Sequence, residues 1–280
     1  MSAAVLGAGR VAVVTGAASG IGAALAAGFA EQGCAVVLAD IEREALERTV
    51  SELAATGATA HAVPTDVADP AAVDALAGAT MARFGRVDVV CNNAGVSTFN
   101  LVADQTPADW QWVLGVNLWG VVHGVQSFLP ILRRQGTPAH IVNTASIAGL
   151  QSGIPFLGPY NVSKVGVVSL SETLQAELAM SGDPIGVSVL CPSSVDTHIM
   201  EAERNRPASL GVEHRSDVAQ QMLESIRGSF RGPDGKTAAK VAALVIDAIR
   251  TDRFWIITHA SARAALEARF SAILESAPTT

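Results

Sequence analysis

Charge is scarce in this chain. Only 16% of its 280 residues are charged, against about a quarter in an ordinary globular protein. The formal net charge is −7. A surface short of positive charge excludes nucleic acid as the main partner, because phosphate binding needs a basic face. Few charges also leave apolar area to bury against copies of the same chain. No apolar run approaches the roughly eighteen residues that a membrane span needs, so no membrane partner is expected. The first nine residues hold no cationic stretch followed by a long apolar run, and no secretory signal is expected there. The three cysteines, Cys34, Cys91 and Cys191, are far apart. Such a set builds no disulfide framework and suits a reducing cytoplasm. The six histidines do not pair at ligand spacing and no Cys-x-x-Cys occurs, so no metal site is expected.

Apolar residues make up 49% of the chain, enough for a large core in one domain spanning 1–280. Short apolar runs alternate with longer stretches of helical period. Residues 11–14, 35–39, 58–63, 87–91, 139–144, 186–190 and 254–258 read as strands. Between them, Ile21, Leu25 and Phe29, then Leu46, Val50 and Leu53, then Val73, Leu76 and Phe84 recur on helix faces. Thr106 and Pro107 read as the cap and first position of a long helix running toward Arg134. Another helix runs over about 160–180, and Thr237 caps one carrying Val241, Leu244 and Val245. Strict alternation with strands apolar on both faces predicts a parallel sheet of about seven strands with helices on both faces. Ligands of such sheets lie beyond the carboxyl ends of the strands.

Residues 201–236 break the pattern. They are polar and hold Pro207, Gly211 and Gly232. Placed after the sixth strand, they read as a substrate lid or as a surface excursion. Val218, Met222 and Ile226 form a weak helical stretch inside, and Met222, Leu223 and Ile226 would supply an apolar underside, with hinges at Gly211 and Gly232. Residues 259–280 read as a helical tail.

The first strand leads into Thr15-Gly16-Ala17-Ala18-Ser19-Gly20-Ile21-Gly22. Gly16 permits a tight turn, Gly20 lets the backbone approach a pyrophosphate, and Gly22 permits close packing of helix on strand. The helix start offers free N–H groups to phosphate. Asp40, at the end of the second strand, can accept hydrogen bonds from both ribose hydroxyls and would repel a 2′-phosphate, which favours NAD over NADP. It can also be read as one of the acids, with Glu42 and Glu44, at a helix start. Tyr160 is the chain's one tyrosine, and Lys164 lies four residues on, on the same helix face. Free tyrosine is a poor base at neutral pH, and a neighbouring ammonium favours the phenolate. Lowering its pKa by about 3 units takes roughly 4 kcal/mol. Ser146 and the run 92–95 (Asn-Asn-Ala-Gly) each follow a strand on the crevice side. Asn117 stands inside a helix, where its propensity is low, as a satisfied core polar group or a functional one.

Together these residues resemble the short-chain dehydrogenase/reductase family from about 11 to 258. The resemblance implies a Rossmann-type doubly wound fold and a catalytic set of Asn117, Ser146, Tyr160 and Lys164. It also implies NAD binding by Gly16, Ser19, Gly20, Ile21, Gly22, Asp40, Asp66, Val67, Asn93, Tyr160, Lys164, Pro192, Val195 and Thr197. Asp66 would hold the adenine amino group, while Val195 and Thr197 would hold the carboxamide. Asn117 would hold a water that links Lys164 to solvent. One departure stands out: Ser193 follows Pro192 where the family usually has glycine. The tail, with Thr258-His259 and Ala268-Arg269-Phe270, and Asn205-Arg206-Pro207 in the lid, are similar to a branch that includes Cα-dehydrogenases of aryl ethers. The activity implied is interconversion of a secondary alcohol and a ketone, on an apolar or aromatic substrate, by a homotetramer or homodimer. Ile154, Pro155, Phe156 and Leu157 would form an apolar pocket wall. The rivals are an epimerase or dehydratase on the same fold, which usually carries a longer substrate domain, and a catalytically silent NAD-binding regulatory or scaffold protein.

Overall fold

Seven β-strands pair in the order β3-β2-β1-β4-β5-β6-β7, and every pairing is parallel. The strands are β1 (Val11–Thr15), β2 (Ala35–Asp40), β3 (Ala60–Pro64), β4 (Val89–Asn92), β5 (Ala139–Thr144), β6 (Ile185–Cys191) and β7 (Trp255–Ile257). The computed structural model describes residues 5–212, 214–226 and 236–278. Strand order reverses between β1 and β4, and the crevice at that switch point is where doubly wound sheets take their ligands.

Helices cover both faces. On one, α1 (Gly20–Glu31), α2 (Arg43–Ala55) and α9 (Ala238–Thr251) bury Leu25, Phe29, Leu46, Val241 and Val245 against the strands. On the other, α3 (Pro70–Phe84), α5 (Gly120–Gln135) and α7 (Gly158–Ser181) bury Leu76, Phe128, Leu132, Leu174 and Leu178. Their ends obey local chemistry. Asp69 caps α3, accepting from Ala71 N at 2.9 Å, and Gly85 closes it in the left-handed region at φ 70°.

Two expectations need correction. The helix from Pro107 is not regular: α4 (Pro107–Leu114) passes through a π-helical turn, Gly115–Trp119, before α5. Asn117 sits in that turn, and its amide bonds outside the helix explain why the turn is tolerated there. The strand edges also move by one or two residues, so that β4 ends on Asn92 and β2 on Asp40. In α8 (Asp217–Ile226) Ala219 and Leu223 are buried and Val218 is exposed, while Met222, though partly exposed, lines the cavity described below. The hinge expected at Gly232 lies outside the described residues, and Gly211 has a φ of 68°. The tail forms α10 (Ala262–Glu275). No helix among the described residues is long and apolar enough to cross a membrane. All three cysteines are free and buried.

Candidate active site

The site is built on the carboxyl ends of the strands. Between β1 and α1 the glycine turn is sterically obligatory. A Cβ on Gly22 would lie 2.0 Å from the Gly16 carbonyl oxygen, and one on Gly16 would lie 2.8 Å from Ala94 Cα. Gly20 has a φ of 55°, a left-handed conformation that glycine adopts without strain. Ser19 caps α1 in extended conformation and its side chain makes no capping bond. The helix start is thus left to an anionic ligand, as a dinucleotide pyrophosphate requires. Asn93 joins the turn to β4: its N–H donates to Thr15 Oγ1 at 2.9 Å and its Nδ2 to the Thr15 carbonyl at 3.0 Å.

Asp40 accepts from Ala18 N at 2.9 Å and from Glu42 N at 3.0 Å. Burial raises its carboxyl above the usual value, and those backbone N–H groups oppose the rise. Held this way, the carboxylate fixes the floor where an adenosine ribose would lie. Asp66 accepts from Ala68 N at 2.9 Å and lines the same wall with Val67.

At the far end, Ser146 ends the β5 turn and caps the short helix α6 (Ile147–Gln151), accepting from Ala148 N at 3.1 Å. Its hydroxyl donates to the Pro192 carbonyl at 3.3 Å. Tyr160, in the first turn of α7, is partly buried, and desolvation pushes its hydroxyl above the ordinary value while a hydrogen bond with Ser146 pulls the other way. Lys164 Nζ donates to the Thr144 carbonyl at 2.9 Å and lies 5.5 Å from the Tyr160 ring centroid. Burial lowers the Lys164 ammonium from 10.5 to about 8. Both groups are desolvated, and the lysine nitrogen faces the ring and Thr144; the lowering expected from lysine together with the positive nicotinamide belongs to the cofactor-bound site.

One cavity of about 600 Å³ joins these parts. Gly16, Ser19, Gly20, Ile21, Gly22, Asp40, Asp66, Val67, Asn93, Ser146, Tyr160, Lys164, Pro192, Val195 and Thr197 all line it, as do Ile154, Pro155, Phe156 and Leu157. Asn117 does not line it. It is fully buried, with Oδ1 accepting from Val96 N at 2.8 Å and Nδ2 donating to Val96 O at 2.9 Å and Ser163 Oγ at 3.1 Å. Its amide is thus a satisfied core polar group. It still points toward the site: a Cβ on Gly95 would lie 3.5 Å from Asn117 Oδ1 and 3.6 Å from Lys164 Nζ, so the missing side chain of Gly95 leaves a gap between them.

Other lining residues escape sequence reading. Phe99 stacks on Phe156, with centroids 5.1 Å apart and planes at 11°, beside Met200 and the buried Leu223 of α8. Phe156 has a φ of 66°, strained for a bulky side chain and of the kind that clusters at ligand clamps. The segment after β6 is tied down at two places. Arg206 pairs with Asp109 at 2.7 Å with both side chains buried, and its guanidinium lies 5.4 Å from the Trp112 centroid. Arg204 Nη2 and Asn205 Nδ2 each donate to Glu42 Oε1 at 2.8 Å, crossing from that segment to the Asp40 side of the cavity. Asn205-Arg206-Pro207 was visible as a motif, but its partners lie about a hundred residues or more away.

The family model for short chain dehydrogenase matches residues 10–208. The C alpha-dehydrogenase of Sphingobium sp. (strain NBRC 103272 / SYK-6) is 35% identical over 272 residues, covering 95% of this chain and 86% of that protein. The 1-deoxy-11-beta-hydroxypentalenate dehydrogenase of Streptomyces exfoliatus is 37% identical over 263 residues, covering 93% and 87%. A short chain dehydrogenase/reductase from Burkholderia phymatum, solved in complex with NAD, superposes with a TM-score of 0.92 at 44% identity, covering 98% of this chain and 97% of that one. The glycine turn, the parallel sheet and this extent of likeness make the chain a member of the short-chain dehydrogenase family, on the C alpha-dehydrogenase side of it.

Proposed function

We propose that this chain is an NAD-dependent oxidoreductase that interconverts a secondary alcohol and a ketone bearing a bulky apolar or aromatic group. The observation that carries the reading is the convergence of Ser146, Tyr160 and Lys164 at one end of the cavity whose other end is the glycine turn and Asp40.

NAD, when bound, supplies the hydride acceptor and a positive charge near the phenol. Gly16, Ser19, Gly20, Ile21 and Gly22 hold its pyrophosphate, Asp40 its adenosine ribose, Asp66 and Val67 its adenine, and Val195 and Thr197 its carboxamide. Asn93 braces the turn. In the oxidative direction Tyr160 Oη takes the proton of the alcohol while Ser146 turns its hydroxyl proton from the Pro192 carbonyl to the substrate oxygen. Lys164 favours the phenolate once the positive nicotinamide lies beside it, and the gap at Gly95 leaves room for a proton-relaying water between Lys164 and Asn117. In the reverse direction Tyr160 returns the proton. The Phe99–Phe156 stack, Ile154 and Leu157 give the substrate end an apolar, flat-walled character that supports the substrate class. Residues 201–236 act as a lid hinged near Gly211, and the Arg206–Asp109 and Glu42 ties hold its near end over the cavity.

The protein assembles as a homotetramer or homodimer. Exposed Trp119, in the π turn ahead of α5, and exposed Val162 and Val165, on α7, are apolar surface suited to a symmetric contact. A monomer mass by light scattering would contradict this. The activity is tested by NADH formation at alkaline pH across aliphatic, benzylic, steroid and sugar secondary alcohols. Turnover concentrated among benzylic and other bulky apolar alcohols is expected. Tight NADH binding with no turnover on any of them would replace the reading by a silent NAD-binding protein.

A further inference from the structure

Two polar side chains directly after β7 are buried and have no part in the chemistry above. Thr258 is 5% exposed and His259 7%. Burying a hydroxyl and an imidazole is unfavourable unless they are bonded, so their bonds indicate what they serve. The Ser193 N–H donates to Thr258 Oγ1 at 3.2 Å, across 65 residues of sequence. Thr258 Oγ1 lies 2.6 Å from His259 Nδ1. The hydroxyl oxygen accepts from Ser193, and it shares one further hydrogen bond with Nδ1 of the ring. The ring's Nε2 has no hydrogen-bond partner among the described residues. The imidazole is therefore held for one contact, the hydroxyl of Thr258.

The peptide group that Thr258 grips is clamped from its other end as well. Its carbonyl, that of Pro192, accepts from Ile147 N at 2.8 Å and from Ser146 Oγ at 3.3 Å. Pro192 and Ser193 both line the cavity. A single peptide plane thus joins the last strand to the hydroxyl expected to hold the substrate oxygen. Turning that plane would remove the acceptor from Ser146 and shift the start of the run 192–197.

We propose that Thr258, backed by His259, is a positioning residue for the reaction: it fixes the Pro192–Ser193 peptide plane and through it the Ser146 hydroxyl and the loop beside the nicotinamide. The reading rests on the alcohol–ketone chemistry assigned above. It also accounts for Ser193: a residue whose N–H is held from behind does not need the freedom of a glycine.

The test combines amide exchange in the cofactor-free protein with kinetics. In Thr258→Val, shape is kept and the acceptor lost, and the Ser193 amide should exchange at least about tenfold faster. Turnover number should fall about 10–100-fold, the order expected for a small misplacement of reacting groups, while the NADH dissociation constant changes by no more than about threefold. Thr258→Ser should restore both readouts. His259→Phe, which removes the ring nitrogen bonded to the hydroxyl, should move both in the direction of Thr258→Val and serves alone if that variant does not fold. Unchanged Ser193 exchange in Thr258→Val or His259→Phe overturns the proposal, and so does faster exchange with turnover intact. Because exchange is read without cofactor, failure of the wild-type protein to oxidise any alcohol would sink the activity and leave this arm decisive for the clamp.

Discussion

Replacing Lys164 by Met is expected to stabilise the fold at neutral pH while removing catalysis. Lys164 is 2% exposed, and burial holds its ammonium at about 8 instead of 10.5. Below pH 8 the folded state must carry a proton that it binds less well than the unfolded chain does. At about 1.4 kcal/mol per pH unit, this is a penalty of about 3 kcal/mol. Between pH 8 and 10.5 the unfolded chain still holds the proton and the folded one has lost it, so wild-type stability rises with pH through that window and the penalty disappears above it. Met keeps most of the aliphatic stem and cannot be charged. It forfeits the bond to the Thr144 carbonyl, worth about 1 kcal/mol. The net gain at pH 7 is about 2 kcal/mol, or about 4 °C in Tm for a chain of this size. Denaturant melts at pH 7 and pH 10 measure it, and turnover should fall at least about 100-fold. A gain at pH 7 that shrinks toward pH 10 is the expected result. A loss of stability at pH 7, or a gain independent of pH, would refute the claim that Lys164 is held against its own solvation.

Asp40→Ala should narrow the preference for NAD over NADP by about 10–100-fold in kcat/KM, equivalent to about 1.4–3 kcal/mol; an unchanged ratio would remove Asp40 from cofactor selection. Arg206→Met leaves the Asp109 carboxylate buried without its ion pair and should cost about 3–5 kcal/mol. If the segment is a lid, the same variant should also raise KM for the alcohol more than for NAD and quicken amide exchange in α8, and equal effects on both KM values would leave it a surface excursion.

Much of the fold was legible because its signals are local. The alternation of apolar runs with Leu25/Phe29-type and Leu76-type helical faces specifies parallel strands and crossovers, and Thr106-Pro107 announces a helix start that the structure builds as a capping box with Asp109. That the glycine turn and Asp40 share a cavity was legible for the same reason, since each is read within a few residues. What was not legible depends on tertiary contact. The π turn carries Asn117, whose bonds to Val96 and Ser163 no helical period records. Lys164 and Tyr160 meet at the expected spacing, but their proton affinities are governed by how deeply the fold buries them. The packing of Ala219 and Leu223 of α8 beside Phe99 and Phe156 joins segments more than sixty residues apart and leaves no local signal. The Thr258–Ser193 clamp spans 65 residues and leaves no pattern in sequence.

The most direct test of the account is Tyr160→Phe, which keeps the ring and removes the one group assigned to move the proton. NADH binding followed by fluorescence should persist within about threefold, while NADH formation from the best alcohol of the panel should fall by at least about a thousandfold, within the range a positioned acid–base group supplies. Binding retained and turnover lost is the predicted result. A variant that keeps a substantial share of wild-type turnover would contradict the assignment of Tyr160 and, with it, the mechanism proposed for this site.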